Sequence, residues 1–248
     1  MPKSHLPCIR KEAAILSRRS SLKFGGSVKV VRWLLDHVFF ATAEPDTIEQ
    51  ELAVLGFDFT ARRRHEGQGT ANACAVFDNA FFEILWCVDS AEITSDLVRP
   101  LGLDERVRWR ETGACPVGLC FRSVDGSGTN ASWPFDTWDY EPRYAKGRGV
   151  IPIVTPPGCL SEPLIFLSPA AQSRSVGPEH GGKKRLLRNV GVGSPVDDAT
   201  ISLGVKWFLE QSLFSLSTMG ASQLRLEFGP SASSKNSRLA AAPIEICW

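Results

Sequence analysis

The hydrophobic positions fall into short runs whose period changes along the chain. Val31 to Ala41 is β-branched and aromatic, which predicts a strand. Glu44, Pro45 and Asp46 mark a turn and a helix start, with proline near the first helical position. Ile48, Leu52 and Leu55 recur at i, i+4 and i+7 as one face of a helix over residues 47–55, and Gly56 ends it. Phe57 to Arg62 alternates and predicts a strand. Residues 66–69, Glu-Gly-Gln-Gly, form a turn. Asn72 to Phe77 and Phe81 to Val88 are strands joined by a tight turn at Asp78 and Asn79. The predicted order over residues 30–88 is β-α-β-β-β.

A middle block, residues 96–168, is mostly β. Cys115–Arg122, Phe135–Tyr140, Val150–Thr155 and Glu162–Leu167 are its candidate strands, separated by Gly, Pro and Ser. Residues 169–184 are polar and read as a linker. Residues 185–248 form a C-terminal βαβββ-like module that aligns with the first: Leu186–Ser194 with Leu34–Thr42, and Ala242–Trp248 with Ala80–Trp86. A helix opened by Pro195 runs to about Phe208, and Gln223–Phe228 is a strand. In this alignment His37 matches Asn189, and Glu83 matches Glu245. The middle block competes with the C-terminal segment as the second unit.

Composition narrows the function classes. The chain has 248 residues, 43% apolar and 22% charged, which is globular. Net charge is +1, and beyond residue 29 acids outnumber bases, which argues against nucleic-acid binding. No apolar run approaches the ~20 residues of a membrane span. Residues 1–29 carry seven basic residues, five serines and one acid. They read as a disordered or targeting-like extension of the organelle-transit kind. Seven scattered cysteines without a CxxC indicate reduced thiols in a cytoplasmic protein. There is no GxSxG, and no placed histidine supports a cysteine nucleophile.

Candidate chemistry sits on the strands. Glu83 lies between Phe82 and Ile84 and shares a face with Phe81 and Leu85, so it lines a pocket or needs a partner. Glu245 has the same placement, with Pro243 and Cys247 on its face. Glu162 precedes a proline at a strand start. His37 sits in an apolar strand. His65 and Gln68 flank a turn at the mouth of such a pocket, where His65 is a candidate general base.

Residues 35–38 (Leu-Asp-His-Val), 65–72 (His-Glu-Gly-Gln-Gly-Thr-Ala-Asn) and 81–86 (Phe-Phe-Glu-Ile-Leu-Trp) resemble the vicinal oxygen chelate superfamily, in its glyoxalase-like branch. Residues 138–140 and 161–167 are similar more loosely. The resemblance implies an α+β fold of paired βαβββ modules, with curled, mainly antiparallel sheets around a pocket. It implies a divalent metal (Fe, Mn, Ni or Zn) held by His37 on a first strand and Glu83 on a last strand. Glu245, or else Glu162, then completes the site or acts as base, and Asn189 stands at the second first-strand position. The implied function is a metal-dependent lyase or isomerase acting on a small oxygen-bearing substrate, a carbonyl or enediolate. The scarcity of histidine favours an alternative within the superfamily, a metal-free protein that binds or sequesters a small molecule. Pairing of modules within one chain or across a homodimer stays open.

Overall fold

The computed structural model describes residues 33–124, 133–147, 149–168, 185–218, 220–229 and 235–248. The basic extension and the linker at 169–184 lie outside the described residues.

A larger sheet contains β1 (Trp33–Ala41), β2 (Arg63–His65), β3 (Thr70–Val76), β4 (Phe81–Cys87), β5 (Val117–Ser123), β6 (Trp138–Tyr140), β7 (Ile151–Ile153) and β8 (Leu164–Leu167). Its order is β2-β3-β4-β1-β5-β8-β7-β6, mainly antiparallel and curled. Helix α1 (Pro45–Val54) links β1 to β2, and α2 (Ser90–Ile93), α3 (Leu103–Val107) and α4 (Trp109–Thr112) lie between β4 and β5. A smaller sheet contains β9 (Leu187–Gly193), β10 (Ser215–Ser217), β11 (Gln223–Phe228), β12 (Asn236–Arg238) and β13 (Ile244–Cys247), ordered β10-β9-β11-β13-β12. Helix α5 (Leu203–Glu210) precedes β10.

The strand order shows where the repeat lies. Reading outward from the centre, the first half runs β1-β4-β3-β2 and the second runs β5-β8-β7-β6. In each half the first and last strands pair in parallel and the others are antiparallel. The two first strands, β1 and β5, pair antiparallel at the middle. The middle block is therefore the counterpart of the first unit. The alignment of the C-terminal segment with that unit is corrected, because β9 does not pair with β13 and β11 lies between them. The alignment matched two strands of like alternation, and alternation says nothing about which strand lies beside which.

Most elements form where the pattern placed them. Helix α1 begins at Pro45 and buries Ile48 and Leu52, and Gly56 ends it at φ 81°. The strand expected at 57–62 is reduced to one bridge, Phe59 to Ala75. There the Thr60 hydroxyl takes the Cys74 N–H at 3.2 Å, displacing a backbone ladder bond. The helix expected from Pro195 starts at Leu203. A short turn at Asp198–Thr200 comes first, capped by the Asp197 side chain.

The smaller sheet and α5 pack on the outer face of the larger sheet, and both contribute to one core. Val38, Phe40, Phe82, Ile84, Leu119 and Phe121 point outward into it and meet Val192, Phe208, Leu226 and Ile246. The second half has no long helix of its own between β5 and β6 among the described residues. Helix α5 covers that part of the outer face instead. Phe208 stacks on Phe121 at 4.6 Å, and Gly204 lies so close to Val154 that a Cβ would fall 2.3 Å from its Cγ1. Asn79 in the β3–β4 turn exchanges two hydrogen bonds with Leu187 at the start of β9.

Arg106 on α3 is fully buried. Its guanidinium donates to the carbonyls of Cys115 at 2.6 Å and Glu162 at 2.8 Å, with longer bonds to Leu101 and Cys159. Those carbonyls supply the partners that a buried charge requires. Arg106 thereby ties α3 to the starts of β5 and β8.

Phe208→Ala is expected to lower stability by about 3–5 kcal/mol, the range for a large aromatic removed from a packed core. Urea unfolding checks this. An unchanged midpoint would show that α5 does not support the outer face.

Candidate functional site

The inner face of the curled sheet encloses a cavity of about 370 Å³. Alternation in β4 sends Phe81, Glu83 and Leu85 inward, and Phe82, Ile84 and Trp86 into the core behind. On β1, His37 and Phe39 face inward. A bulge between Leu35 and His37 shifts the register against β5 and lets consecutive residues, Asp36 and His37, both reach the cavity.

These residues form a polar corner. His37 Nδ1 is 2.8 Å from Asp36 Oδ2, so the carboxylate holds a proton on Nδ1. The other nitrogen, Nε2, lies 3.8 Å from Glu83 Oε2. Glu83 is buried and its Oε1 accepts a 2.8 Å bond from Asn72 Nδ2 on β3. The His37 ring stacks on Phe81 at 4.3 Å and meets the edge of Phe166. Arg122 Nε sits 3.5 Å from the second oxygen of Asp36. Cys120 on β5 lies opposite His37 in the ladder. Donor atoms of Asp36, His37 and Cys120 come within 4.8 Å of one another. Burial pushes the Cys120 thiol well up, and Asp36 and Glu83 add to the effect.

The second half offers a matching pair of positions. Glu83 follows by two residues the ladder partner of His37, which is Phe81. Ser168 follows by two the ladder partner of Cys120, which is Phe166. Cys120 and Ser168 thus stand where the second half would repeat His37 and Glu83, and both line the cavity.

Residues 35–148 match the family model described as a glyoxalase-like domain. This segment is a glyoxalase-like domain of the vicinal oxygen chelate superfamily. Among solved structures, the chain is similar to a hypothetical protein from Staphylococcus aureus, at 10% identity and TM-score 0.54, covering 87% of this chain and 99% of that one. That likeness concerns the fold alone. A methylmalonyl-CoA epimerase from Mycobacterium tuberculosis matches at 18% identity and TM-score 0.32, over 56% of this chain and 91% of that one. No curated protein matches the sequence.

The glyoxalase-like cavity brings together His37, Glu83, His65 and Gln68 among the residues picked from sequence. It does not include Glu162, Glu245 or Asn189. Glu162 is buried behind the sheet, where its two oxygens accept 2.7 Å bonds from the N–H and hydroxyl of Ser202 at the start of α5. Burial pushes its carboxyl up, against the pull of those bonds and of Arg106. Glu245 lies in the smaller sheet beneath Arg225 and Arg238 and also takes a bond from Asn236. Asn189 is exposed on β9 and bonds to Glu227. In the second half it is Cys120 and Ser168 that line the cavity at the corresponding positions. Sequence reasoning missed both because it read the scattered cysteines as buried reduced thiols, and a lone serine at a strand end carries no signal. Pairing the middle block with the first unit is the signal that would have found them.

The far end of the cavity holds a neutral network. His65 Nδ1 contacts the Thr70 hydroxyl at 3.0 Å, Gln68 Nε2 donates to the same oxygen at 2.8 Å, and Tyr140 donates to Gln68 Oε1 at 3.0 Å. His65 stacks on Tyr144 at 4.5 Å. These contacts bring the β2–β3 turn at one edge of the sheet against β6 at the other.

Burial pushes the His65 pKa down from its usual 6.5; Arg63 and His37 act in the same direction and Glu83 opposes them. The folded state thus resists protonation more than the unfolded chain does. Its advantage from neutral His65 is complete above the unfolded pKa and is lost as pH falls toward the lower folded value. Stability is expected to decline as pH drops below about 6.5, and to decline less in His65→Phe, which retains a ring against Tyr144. Thermal melts between acid and neutral pH check this. Parallel curves for the two proteins would contradict it.

Proposed function

We propose that the glyoxalase-like cavity binds a small oxygen-bearing molecule, a carbonyl or enediolate, and that the chain is a divalent-metal-dependent lyase or isomerase. The observation that carries this is the orientation of His37. With Nδ1 engaged by Asp36, Nε2 is left as an acceptor aimed at the carboxylate of Glu83. Two donors about 2.1 Å from one tetrahedral ion lie about 3.4 Å apart, and these two are 3.8 Å apart. An imidazole and a carboxylate fit Fe, Mn, Ni or Zn. An ion held by His37 and Glu83 would supply Lewis-acid polarisation of the substrate oxygen.

The chain's own groups account for the remaining work. Asn72 occupies Glu83 Oε1, so Oε2 is the atom left to face an ion or to take a proton beside the carbonyl. Phe39, Leu85, Ile153, Leu164 and Phe166 line the cavity with apolar surface that receives the substrate's carbon body and excludes water.

A second reading is favoured by one observation: Cys120 and Ser168 occupy the second half's positions. A high thiol pKa and a neutral hydroxyl make weak ligands, which supports metal-free binding of a small molecule.

Protein purified without a tag or chelator is expected to hold about one divalent ion per chain, lost in His37→Ala and in Glu83→Ala. Asp36→Ala is expected to weaken metal affinity about 10- to 100-fold. Elemental analysis and metal titration measure both. No binding after reloading with Fe(II), Mn, Ni and Zn in turn would overturn the metalloenzyme reading and leave the binding protein.

A further inference from the structure

The network at the far end of the cavity has a direction, and that direction sets the chemistry of His65. A hydroxyl has one proton to give, and a neutral imidazole has one donor nitrogen and one acceptor nitrogen. Tyr140 is buried, and its hydroxyl contacts Gln68 alone among the described residues. Were the Gln68 amide reversed, Tyr140 would accept from it, and the Tyr140 proton would be left without a partner among the described residues. Tyr140 therefore donates to Gln68 Oε1, and Gln68 Nε2 donates to Thr70. The Thr70 hydroxyl is fully buried, and His65 Nδ1 is the acceptor left for its proton among the described residues. Gln68 Nε2 is also 3.5 Å from Nδ1, a placement that disfavours a proton there. Nδ1 is thus an acceptor, and the proton of neutral His65 sits on Nε2.

That Nε2–H has no hydrogen-bond partner among the described residues. The residue is more than nine-tenths buried, yet Nε2 is not sealed off, because the ring lines the cavity. We propose that His65 is a neutral hydrogen-bond donor to an oxygen of the cavity's ligand, rather than a base. The chain Tyr140–Gln68–Thr70 is the positioning device that fixes its tautomer.

A neutral N–H aimed at a carbonyl oxygen stabilises negative charge that develops there. The lowered His65 pKa agrees with a ring that stays neutral near pH 7. The groups acting on the ring are Glu83, Arg63 and His37, with Tyr144 stacked on its face. Burial pushes the hydroxyls of Tyr140 and Tyr144 up, so both stay protonated beside it. The ligand would therefore meet an ionisable corner at His37 and Glu83 and an uncharged donor opposite. A dicarbonyl or a hydroxy-carbonyl, with two oxygens on an apolar body, is the class that uses both. This inference rests on the cavity being a ligand site and is independent of whether a metal binds.

The test is long-range proton–nitrogen NMR on the full chain labelled with 15N, with and without chelator. At pH 7 the expected spectrum shows a pyridine-like Nδ1 and a protonated Nε2 for His65. In Gln68→Glu the added acceptor draws the Thr70 proton away, and the His65 proton is expected to move to Nδ1. A protonated Nδ1, or a doubly protonated ring, in the unmodified chain overturns the tautomer, with no variant needed. Acetophenone is then titrated as an apolar carbonyl probe. The expected result is a shift of the His65 Nε2–H resonance together with the His37 signals. Movement at His37 with a still His65 Nε2–H overturns the donor role and leaves the cavity reading standing. Movement at neither overturns both.

Discussion

The antiparallel ladder between β1 and β5 is the constraint on which the site depends. It joins the two four-stranded halves through their first strands and places His37 opposite Cys120. Its alternation divides each strand between two environments, with Phe39 and His37 inward and Val38 and Phe40 outward. A slip of one residue would exchange these sets and drive an imidazole into the apolar core. The close approach at Gly118 helps hold this register. A Cβ there would lie 2.0 Å from the Phe39 ring, so the ring and the glycine fit only together. The bulge beside Asp36 is the single break in the ladder, and it gives His37 its carboxylate partner.

From that ladder follows a cavity with two unlike ends. One end gathers Asp36, His37, Glu83 and Asn72, groups that carry charge or hold it in place. The other end gathers His65, Thr70, Gln68 and Tyr140 in a network of neutral donors and acceptors. Burial acts on the Cys120 thiol and the His65 imidazole alike, disfavouring the charged form of each. The outer face is equally demanding, because its large apolar residues need cover. Helix α1 covers part of it, and α5 with the smaller sheet covers the part behind β5. The C-terminal segment therefore supports the cavity from behind, and none of its described residues lines it.

Much of this was legible in the sequence, and the gaps have physical causes. The alternation of residues 81–86 placed Glu83 inward with apolar neighbours, and the ladder agrees. The β-α-β-β-β order of the first unit was readable because its helix and turns carry strong local signals at Pro45, Gly56 and Asn79. Glu245 was misassigned because β13 has the same alternation as β4 but pairs with β11, and its carboxylate meets Arg225 and Arg238. Glu162 was misassigned because a buried acid has two remedies, a cavity or a hydrogen-bond partner, and here Ser202 supplies the second. Pairing between distant strands leaves little mark on local pattern. The equivalence of Cys120 and Ser168 with His37 and Glu83 emerged only from the register.

The central claim is that the corner formed by His37 and Glu83, inside the paired halves, is the chemical centre of the molecule. Anomalous diffraction from crystals soaked in Mn(II), recorded with and without the metal, tests it most directly. The account predicts one peak inside the cavity within bonding distance of His37 Nε2 and Glu83. A peak at Glu245 on the smaller sheet, or a cavity without a peak, would contradict it.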